Sequence, residues 1–175
     1  PKAESTDAYK AAETEDKPSF GKVFSTFFQK KQIGLILAFI LLFRLGEAQL
    51  LKMLNPFLMD PIDKGGLGLS TESIGLIYGT FGIIALVIGG ILGGISISKS
   101  GLKKWMLPMV LAMRIPIFGF VLLAHFQPES QIYIYLTIIL EQFGYGFGFA
   151  AFMMYLIYVA EGEFKTSHYS IATGF

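Results

Sequence analysis

The sequence SIGLIYGTFGIIALVIGGILGGISIS, at residues 73–98, decides the fold of this chain. No charged side chain lies between Glu72 and Lys99, the residues on either side of it. A helix needs about 20 apolar residues to cross about 30 Å of hydrocarbon, because each residue advances it by about 1.5 Å. The stretch exceeds that length, so it predicts a transmembrane helix.

Three more long apolar segments occur, at about residues 32–59, 105–125 and 131–160, and a fifth begins near residue 167. Hydrophobic residues make up 53% of the chain and charged residues 15%. A soluble domain has about 25% charged residues, so this composition excludes one, and it equally excludes a disordered tail. We therefore predict that residues 32–175 form an all-α, polytopic transmembrane helix bundle.

The first 31 residues differ from this pattern. Residues 1–18 are polar and lack apolar periodicity, which predicts a flexible loop. Residues 19–31 contain four phenylalanines spaced along one face of a helix: Phe20, Phe24, Phe27 and Phe28. With the lysines around them, they predict an amphipathic helix on the membrane surface. The alternative is an ordinary helix packed on a soluble core.

Lysines indicate the direction in which the helices cross the membrane. Three lie shortly before the first span, at Lys22, Lys30 and Lys31, and three lie between the second and the third, at Lys99, Lys103 and Lys104. The connections on the other side are mainly acidic. Because Lys and Arg concentrate in cytoplasmic loops, residues 1–31 are predicted to be cytoplasmic.

Several function classes lack the residues that they require. The chain has no cysteine, and its two histidines, His125 and His168, are far apart in sequence, so we predict no metal site. No nucleotide-binding or nucleophile motif appears, so we expect neither a cofactor nor an enzymatic activity. The net charge of +1 gives no field that would attract nucleic acid.

The second span carries a stripe of glycines. Five of them fall within a sector of about 80° on one helix face: Gly75, Gly79, Gly82, Gly89 and Gly93. Glycine lets another helix approach backbone to backbone, so the stripe predicts a helix-packing seam. The alternative is that glycine is simply frequent in membrane helices. The residues do not identify the partner helix.

Ionisable side chains within the spans cost at least about 2.5–3.5 kcal/mol each and therefore indicate a function. The polar residues that we predict to line a substrate or proton pathway are Arg44, Glu47, Asn55, Arg114, Glu141 and Gln142. Arg44 and Glu47 are three residues apart, a spacing that brings them to one helix face and suits a local ion pair. Asn55 lies close to the same angle.

Residues that bend or loosen helices accompany these charges. Pro108 and Pro116 flank Arg114, and each removes a backbone N–H. Alternating glycines at residues 144–148 follow Glu141 and predict a deformable, unwound or kinked segment. Two interpretations stay open. The charges form a translocation path, or Arg114 and Glu141 form a structural pair between neighbouring helices.

The connection between the second and third spans contains a motif: Gly94, Ser98, Lys99, Gly101, Lys103 and Lys104. It resembles the loop signature of the major facilitator superfamily, with Ser98 where the signature has an acidic residue. Four longer strings look like the AmpG-type muropeptide permease branch: FRLGEA at 43–48, GGLGL at 65–69, GLKKW at 101–105 and EQFGYGFGF at 141–149.

This resemblance implies a twelve-helix transporter, of which the chain would supply the central cytoplasmic loop and helices seven to eleven, in the C-terminal half. It implies proton-driven import of muropeptides, sugar-peptide fragments of peptidoglycan, across the bacterial inner membrane. The implied partners are membrane lipid, the solute, protons and the N-terminal helix bundle. Since Pro1 is not a start methionine, we expect the chain to be a piece of a larger protein.

The sequence therefore favours part of a secondary active transporter, in which protonation of Glu47 or Glu141 would neutralise a buried charge. Two alternatives remain. The protein would be another major facilitator transporter that carries an anionic solute, or a non-transporting membrane scaffold held by the glycine seam.

Overall fold

The computed structural model of the protein describes residues 19–174, and every regular element within them is helical. The predicted loop at residues 1–18 lies outside the described residues. The helices are α1 Phe20–Phe28, α2 Ile33–Met59, α3 Thr71–Ser100, α4 Leu102–Phe126, α5 Gln131–Ala160 and α6 Lys165–Thr173. Helices α2 to α5 are long and apolar enough to cross a membrane. The predicted all-α fold with several spans is therefore confirmed.

Two of the long helices contain an irregular segment. In α3, the residues Ile77–Gly82 form a π-helix, which is wider than the α-helix on either side. Helix α4 consists of two α-helical pieces. The first, Leu102–Arg114, ends just before Pro116, and the second, Ile117–Phe126, begins just after it. The sequence predicted that Pro116 would bend or loosen its helix, but it gave no signal for the π-helix in α3.

The described residues form two compact units. The larger, Leu42–Tyr158, contains α3, α4 and most of α2 and α5. The smaller consists of residues 19–41 and 159–174, and it includes α1 and α6.

In the larger unit, α3 packs against α5 through direct backbone contact. A Cβ atom added to Gly89 would collide with the carbonyl oxygen of Phe143. From the opposite side, a Cβ added to Gly146 would collide with the carbonyl oxygen of Leu86. Small residues allow such approach in membranes, where lipid gives helices no hydrophobic reason to associate.

The five glycines of the predicted seam divide into two groups. Gly82, Gly89 and Gly93 lie against α5, whereas a Cβ added to Gly75 or Gly79 would meet open space. The structure thus supplies the partner that the sequence left open, and it limits the contact to the later part of the stripe.

Helix α5 contacts α4 through two further glycines. A Cβ on Gly144 would collide with the carbonyl oxygen of Ala112, and one on Gly148 would lie 2.6 Å from that of Met109. Pro116 lacks the N–H that would bond to the Ala112 carbonyl within α4. Helix α5 is one continuous α-helix, so the unwinding that the sequence predicted at residues 144–148 is absent. These glycines serve packing instead.

The connection from α2 to α3 folds back onto the end of α2. The N–H of Leu67 donates to the carbonyl of Phe57, and the N–H of Leu69 donates to that of Leu58, both at 2.9 Å. These bonds satisfy carbonyls that a helix end leaves free. The Leu67 and Leu69 side chains are buried in a core shared with α2, α4 and α5.

The connection from α3 to α4 is a single glycine. Gly101 has a φ of +79°, a value that side chains with a Cβ rarely adopt, and its N–H donates to the carbonyl of Ile97 at 2.7 Å. The remaining motif residues are exposed: Gly94, Ser98, Lys99, Lys103 and Lys104. The Ser98 hydroxyl donates to the carbonyl of Ile95, within its own helix.

The smaller unit joins α1 to α6. Val23 and Phe27 of α1 are buried, whereas Phe20 is 78% exposed. The buried His168 of α6 contacts the Thr26 hydroxyl through its Nε2 atom at 3.1 Å. Phe27 therefore packs inside the protein rather than towards lipid, while the position of α1 on a membrane surface stays a prediction.

We expect Gly89→Ala to lower the stability of the protein, because its Cβ would force α3 away from the α5 backbone. Such overpacking costs about 1–3 kcal/mol. Gly94→Ala is the matched control on the same helix, since a Cβ there would meet open space. In detergent, Gly89→Ala should melt several degrees below wild type and Gly94→Ala should not. Equal melting temperatures for the two variants would contradict the glycine contact.

Candidate functional site

A cavity of about 220 Å³ lies between α2, α4 and α5, near the middle of all three helices. Its polar lining consists of Glu47, Arg114, Glu141, Gln142 and Tyr145. Leu50, Leu51, Met113 and Ile117 supply the apolar lining. At such depth in a membrane, polar groups must find partners in the protein or in a ligand.

Glu47 reaches the cavity from α2 and is held by α5. The Tyr145 hydroxyl donates to its Oε1 atom at 2.5 Å. The other carboxylate oxygen, Oε2, is buried and has no hydrogen-bond partner among the described residues. Stacking on Phe149, with the ring centroids 5.5 Å apart, orients the Tyr145 ring. Glu47 thus keeps one oxygen available to a ligand or a proton.

Arg114 stands at the end of the first piece of α4, just before the break at Pro116. Its Nη2 atom donates to the backbone carbonyl of Phe43 at 2.8 Å, and its guanidinium lies 5.1 Å from the centroid of the Phe43 ring. Gly46 makes room for it, because a Cβ there would lie 3.1 Å from Nη1. A cation over an aromatic face is stabilised by the ring quadrupole.

Glu141 is the most deeply buried acidic group of the described chain, at 5% exposure. Its Oε2 atom accepts a hydrogen bond at 2.9 Å from the side-chain amide of the next residue, Gln142. Glu141 and Tyr145 are four residues apart on α5, so they point to the same side of that helix.

The π-helical segment of α3 lies beside this acidic group. A Cβ added to Gly82 would lie 3.3 Å from the Cγ atom of Gln142. Tyr78, in the same segment, has a buried hydroxyl without a hydrogen-bond partner among residues 19–174. π-Helical segments occur frequently at functional sites. The irregular part of α3 therefore adjoins the charged part of α5.

The charges in the cavity are not neutralised by ion pairs. Arg114 donates to the Phe43 carbonyl and Glu141 accepts from Gln142, so within the described part of the chain these two residues do not form the structural pair. The local pair between Arg44 and Glu47 is also absent, because Glu47 turns towards Tyr145. The guanidinium and the two carboxylates share one cavity while binding separate, uncharged partners.

Two predicted pathway residues stand apart from the others. Arg44 and Asn55 are exposed on α2 and do not line the cavity. The sequence analysis placed them beside Glu47 because they lie at a similar angle around an isolated helix. In the structure, they lie outside the face of α2 that meets α4 and α5. The structure adds two residues that the sequence analysis missed, Tyr145 and Tyr78. For Tyr145, the available signal was its spacing of four from Glu141.

Comparison with known proteins gives relatives that share one kind of name. A Rickettsia felis protein named "Putative transporter AmpG 4" is 28% identical over 148 residues, which cover 85% of this chain and 34% of the relative. The Rickettsia typhi protein "Putative transporter AmpG 3" is 28% identical over 84% of the chain and 33% of its own length. The Rickettsia prowazekii protein "Putative transporter AmpG 1" is 26% identical over 86% of this chain and 34% of its own length.

The chain spans about a third of the length of these curated relatives. No family model matches it, and no solved structure matches it. The relatives bear the names of transporters and not of enzymes, in agreement with the expectation that the protein is not an enzyme. Over most of its length, the chain is similar to AmpG-type transporters, and the resemblance indicated by its motifs is confirmed.

Proposed function

We propose that the protein is part of a secondary active transporter that imports a solute across the bacterial inner membrane by alternating access. One observation carries the proposal: a cavity at the middle of the spans gathers a guanidinium and two carboxylates that are not paired with one another. Buried charges without opposite partners are costly, and in membrane helices they mark substrate and proton pathways. The transporter names of the relatives support the same function.

Arg114 is the residue that we assign to substrate binding. Its guanidinium has five N–H donors in a planar fork, and the described chain provides a single carbonyl, that of Phe43, as a hydrogen-bond acceptor. The remaining donors suit a carboxylate or another anionic group of a solute. This assignment also fits a transporter for a different anionic solute.

Glu141 is the residue that we assign to proton coupling. It is almost completely buried, and taking up a proton would remove a negative charge from the interior of the membrane. A change in one buried charge alters the relative stability of inward-open and outward-open states, which is the requirement for coupling. The other carboxylate of the cavity, Glu47, is in contact with Tyr145.

We propose muropeptides as the substrate class, on the basis of the similarity to AmpG-type transporters. The peptide part of a muropeptide contains carboxylates, which match the free donors of Arg114. The cavity of this chain would form one wall of the binding site, and the rest of the full-length protein would form the other.

We expect Glu141→Gln in the full-length protein to abolish the pH dependence of uptake, because glutamine cannot take up a proton. Uptake driven by a proton gradient should fall at least about tenfold, equivalent to about 1.4 kcal/mol. The measurement is uptake of a labelled muropeptide by membrane vesicles at a series of pH values. Glu129→Gln, which alters an exposed residue of the α4–α5 connection, is the control. Wild-type pH dependence in Glu141→Gln would remove this residue from the mechanism.

We expect Arg114→Gln to raise the KM for an anionic substrate at least about tenfold, because the cationic donor is lost. Arg114→Lys keeps the charge without the planar fork and should show an intermediate KM. Both values come from uptake at varied substrate concentration, with protein abundance in the membrane measured in parallel. An unchanged KM in Arg114→Gln would show that the substrate binds elsewhere.

A further inference from the structure

We propose that an exposed row of aromatic rings on α1 inserts into the membrane surface and that the lysine following it binds anionic phospholipid headgroups. The aromatic row consists of Phe20, Phe24 and Phe28, and the lysine is Lys31. The proposal concerns the smaller unit alone, so it does not depend on the proposed transport function.

The aromatic row is a continuous apolar surface. Phe20 is 78% exposed, Phe24 is 42% exposed and Phe28 is 37% exposed. Their spacing of four residues brings them to one edge of α1. The ring centroids of Phe20 and Phe24 are 5.8 Å apart, and those of Phe24 and Phe28 are 4.8 Å apart. A contiguous exposed apolar surface of this kind marks a place of interaction with a partner.

Helix α6 fixes the direction in which the aromatic row points. The adjacent edge of α1 is occupied, because Val23 and Phe27 are buried and the Nε2 atom of His168 lies 3.2 Å from the Val23 carbonyl oxygen. The Lys30 ammonium donates to the carbonyl of Glu161, just before α6, at 2.6 Å. These contacts hold α1 in one rotation, so the aromatic row stays on the exposed side of the described part of this unit.

The end of α1 lies directly beside a helix that is long and apolar enough to cross a membrane. Two turns join α1 to α2: the N–H of Lys30 donates to the carbonyl of Phe27 at 3.3 Å, and that of Ile33 donates to the carbonyl of Lys30 at 3.2 Å. Leu35, in the first turn of α2, is 68% exposed. The aromatic row and the exposed start of α2 belong to one compact unit, and lipid is the partner that both can share.

The charge of the smaller unit favours anionic lipid. Its described part carries four lysines and two glutamates: Lys22, Lys30, Lys31, Lys165, Glu161 and Glu163. The excess of two positive charges complements a negative membrane surface. Lys31 is exposed and lies three residues after Phe28. Its apolar stem can lie along the lipid while its ammonium reaches a headgroup, beside rings that enter the apolar region.

A tryptophan placed in the aromatic row tests the contact with lipid. In the full-length protein, Trp105 and any other tryptophan would be replaced by phenylalanine, and Phe24→Trp would be introduced. The protein would be placed in bilayers of phosphatidylcholine with acyl chains that carry bromine, which quenches the fluorescence of a neighbouring tryptophan. We expect quenching at least about twofold stronger in Phe24→Trp than in the control Ser25→Trp, because residue 25 is rotated about 100° away from residue 24. Phe20→Trp is a second probe of the row and should match Phe24→Trp.

The preference for anionic lipid is measured in the same variant. In mixed bilayers, quenching by brominated phosphatidylglycerol and by brominated phosphatidylcholine gives the ratio of their binding constants at the row. We expect phosphatidylglycerol to be favoured at least about fivefold, the contribution of one lysine near the membrane surface. Lys31→Gln should lower the ratio about fivefold. Lys64→Gln, which alters an exposed lysine of the α2–α3 connection, is the matched control and should leave it unchanged.

Two results would overturn the proposal. Fluorescence that brominated lipid quenches in neither Phe24→Trp nor Phe20→Trp would show that protein covers the aromatic row. Equal binding of the two lipids at the row, or a ratio that Lys31→Gln leaves unchanged, would reject the headgroup site. Uptake does not enter these measurements, so either result would leave the proposed function standing.

Discussion

The backbone of α5 touches the backbones of both α3 and α4, and the larger unit depends on this contact. Lipid tails are as apolar as leucine, so burial of side chains gives membrane helices little reason to associate. Close backbone approach replaces that driving force, and it requires glycine on two faces of one helix. Gly146 provides it towards α3, and Gly144 and Gly148 provide it towards α4.

This contact also fixes the polar site. Successive residues of a helix are rotated by about 100°, so Tyr145 points to the side between the faces of Gly144 and Gly146. Glu141, one turn earlier, points the same way, and both meet α2 in the cavity. The glycines thus set the depth and direction of the polar residues of α5, and a shift of α5 by one residue would turn them away from Arg114 and Glu47.

The sequence predicted the parts of the structure that follow from composition and periodicity. Apolar length located the long helices, and the cost of burying charge located Glu47, Arg114 and Glu141. It could not predict contacts between helices, because those depend on which faces meet. Arg44 and Asn55 were grouped with Glu47 by angle on an isolated helix, whereas the structure leaves them exposed. From the sequence alone, the alternating glycines indicated flexibility. In the structure, they pack against the carbonyl groups of Leu86 and Ala112 on neighbouring helices.

The way in which the cavity binds its charges supports the proposed transport site over a purely structural role. A bundle stabilised by buried charge would pair a guanidinium with a carboxylate, since an unpaired buried ion is expensive. Here Arg114 binds a carbonyl and Glu47 binds a hydroxyl, although both line the same small cavity. The break in α4 lies at this cavity, because Arg114 and Ile117 on its two sides line it, and the irregular segment of α3 contacts Gln142 through Gly82. Because the charges are kept apart, Arg114 retains free donors and Glu47 retains a free carboxylate oxygen. These groups can bind a ligand and a proton, as the proposed transport site requires.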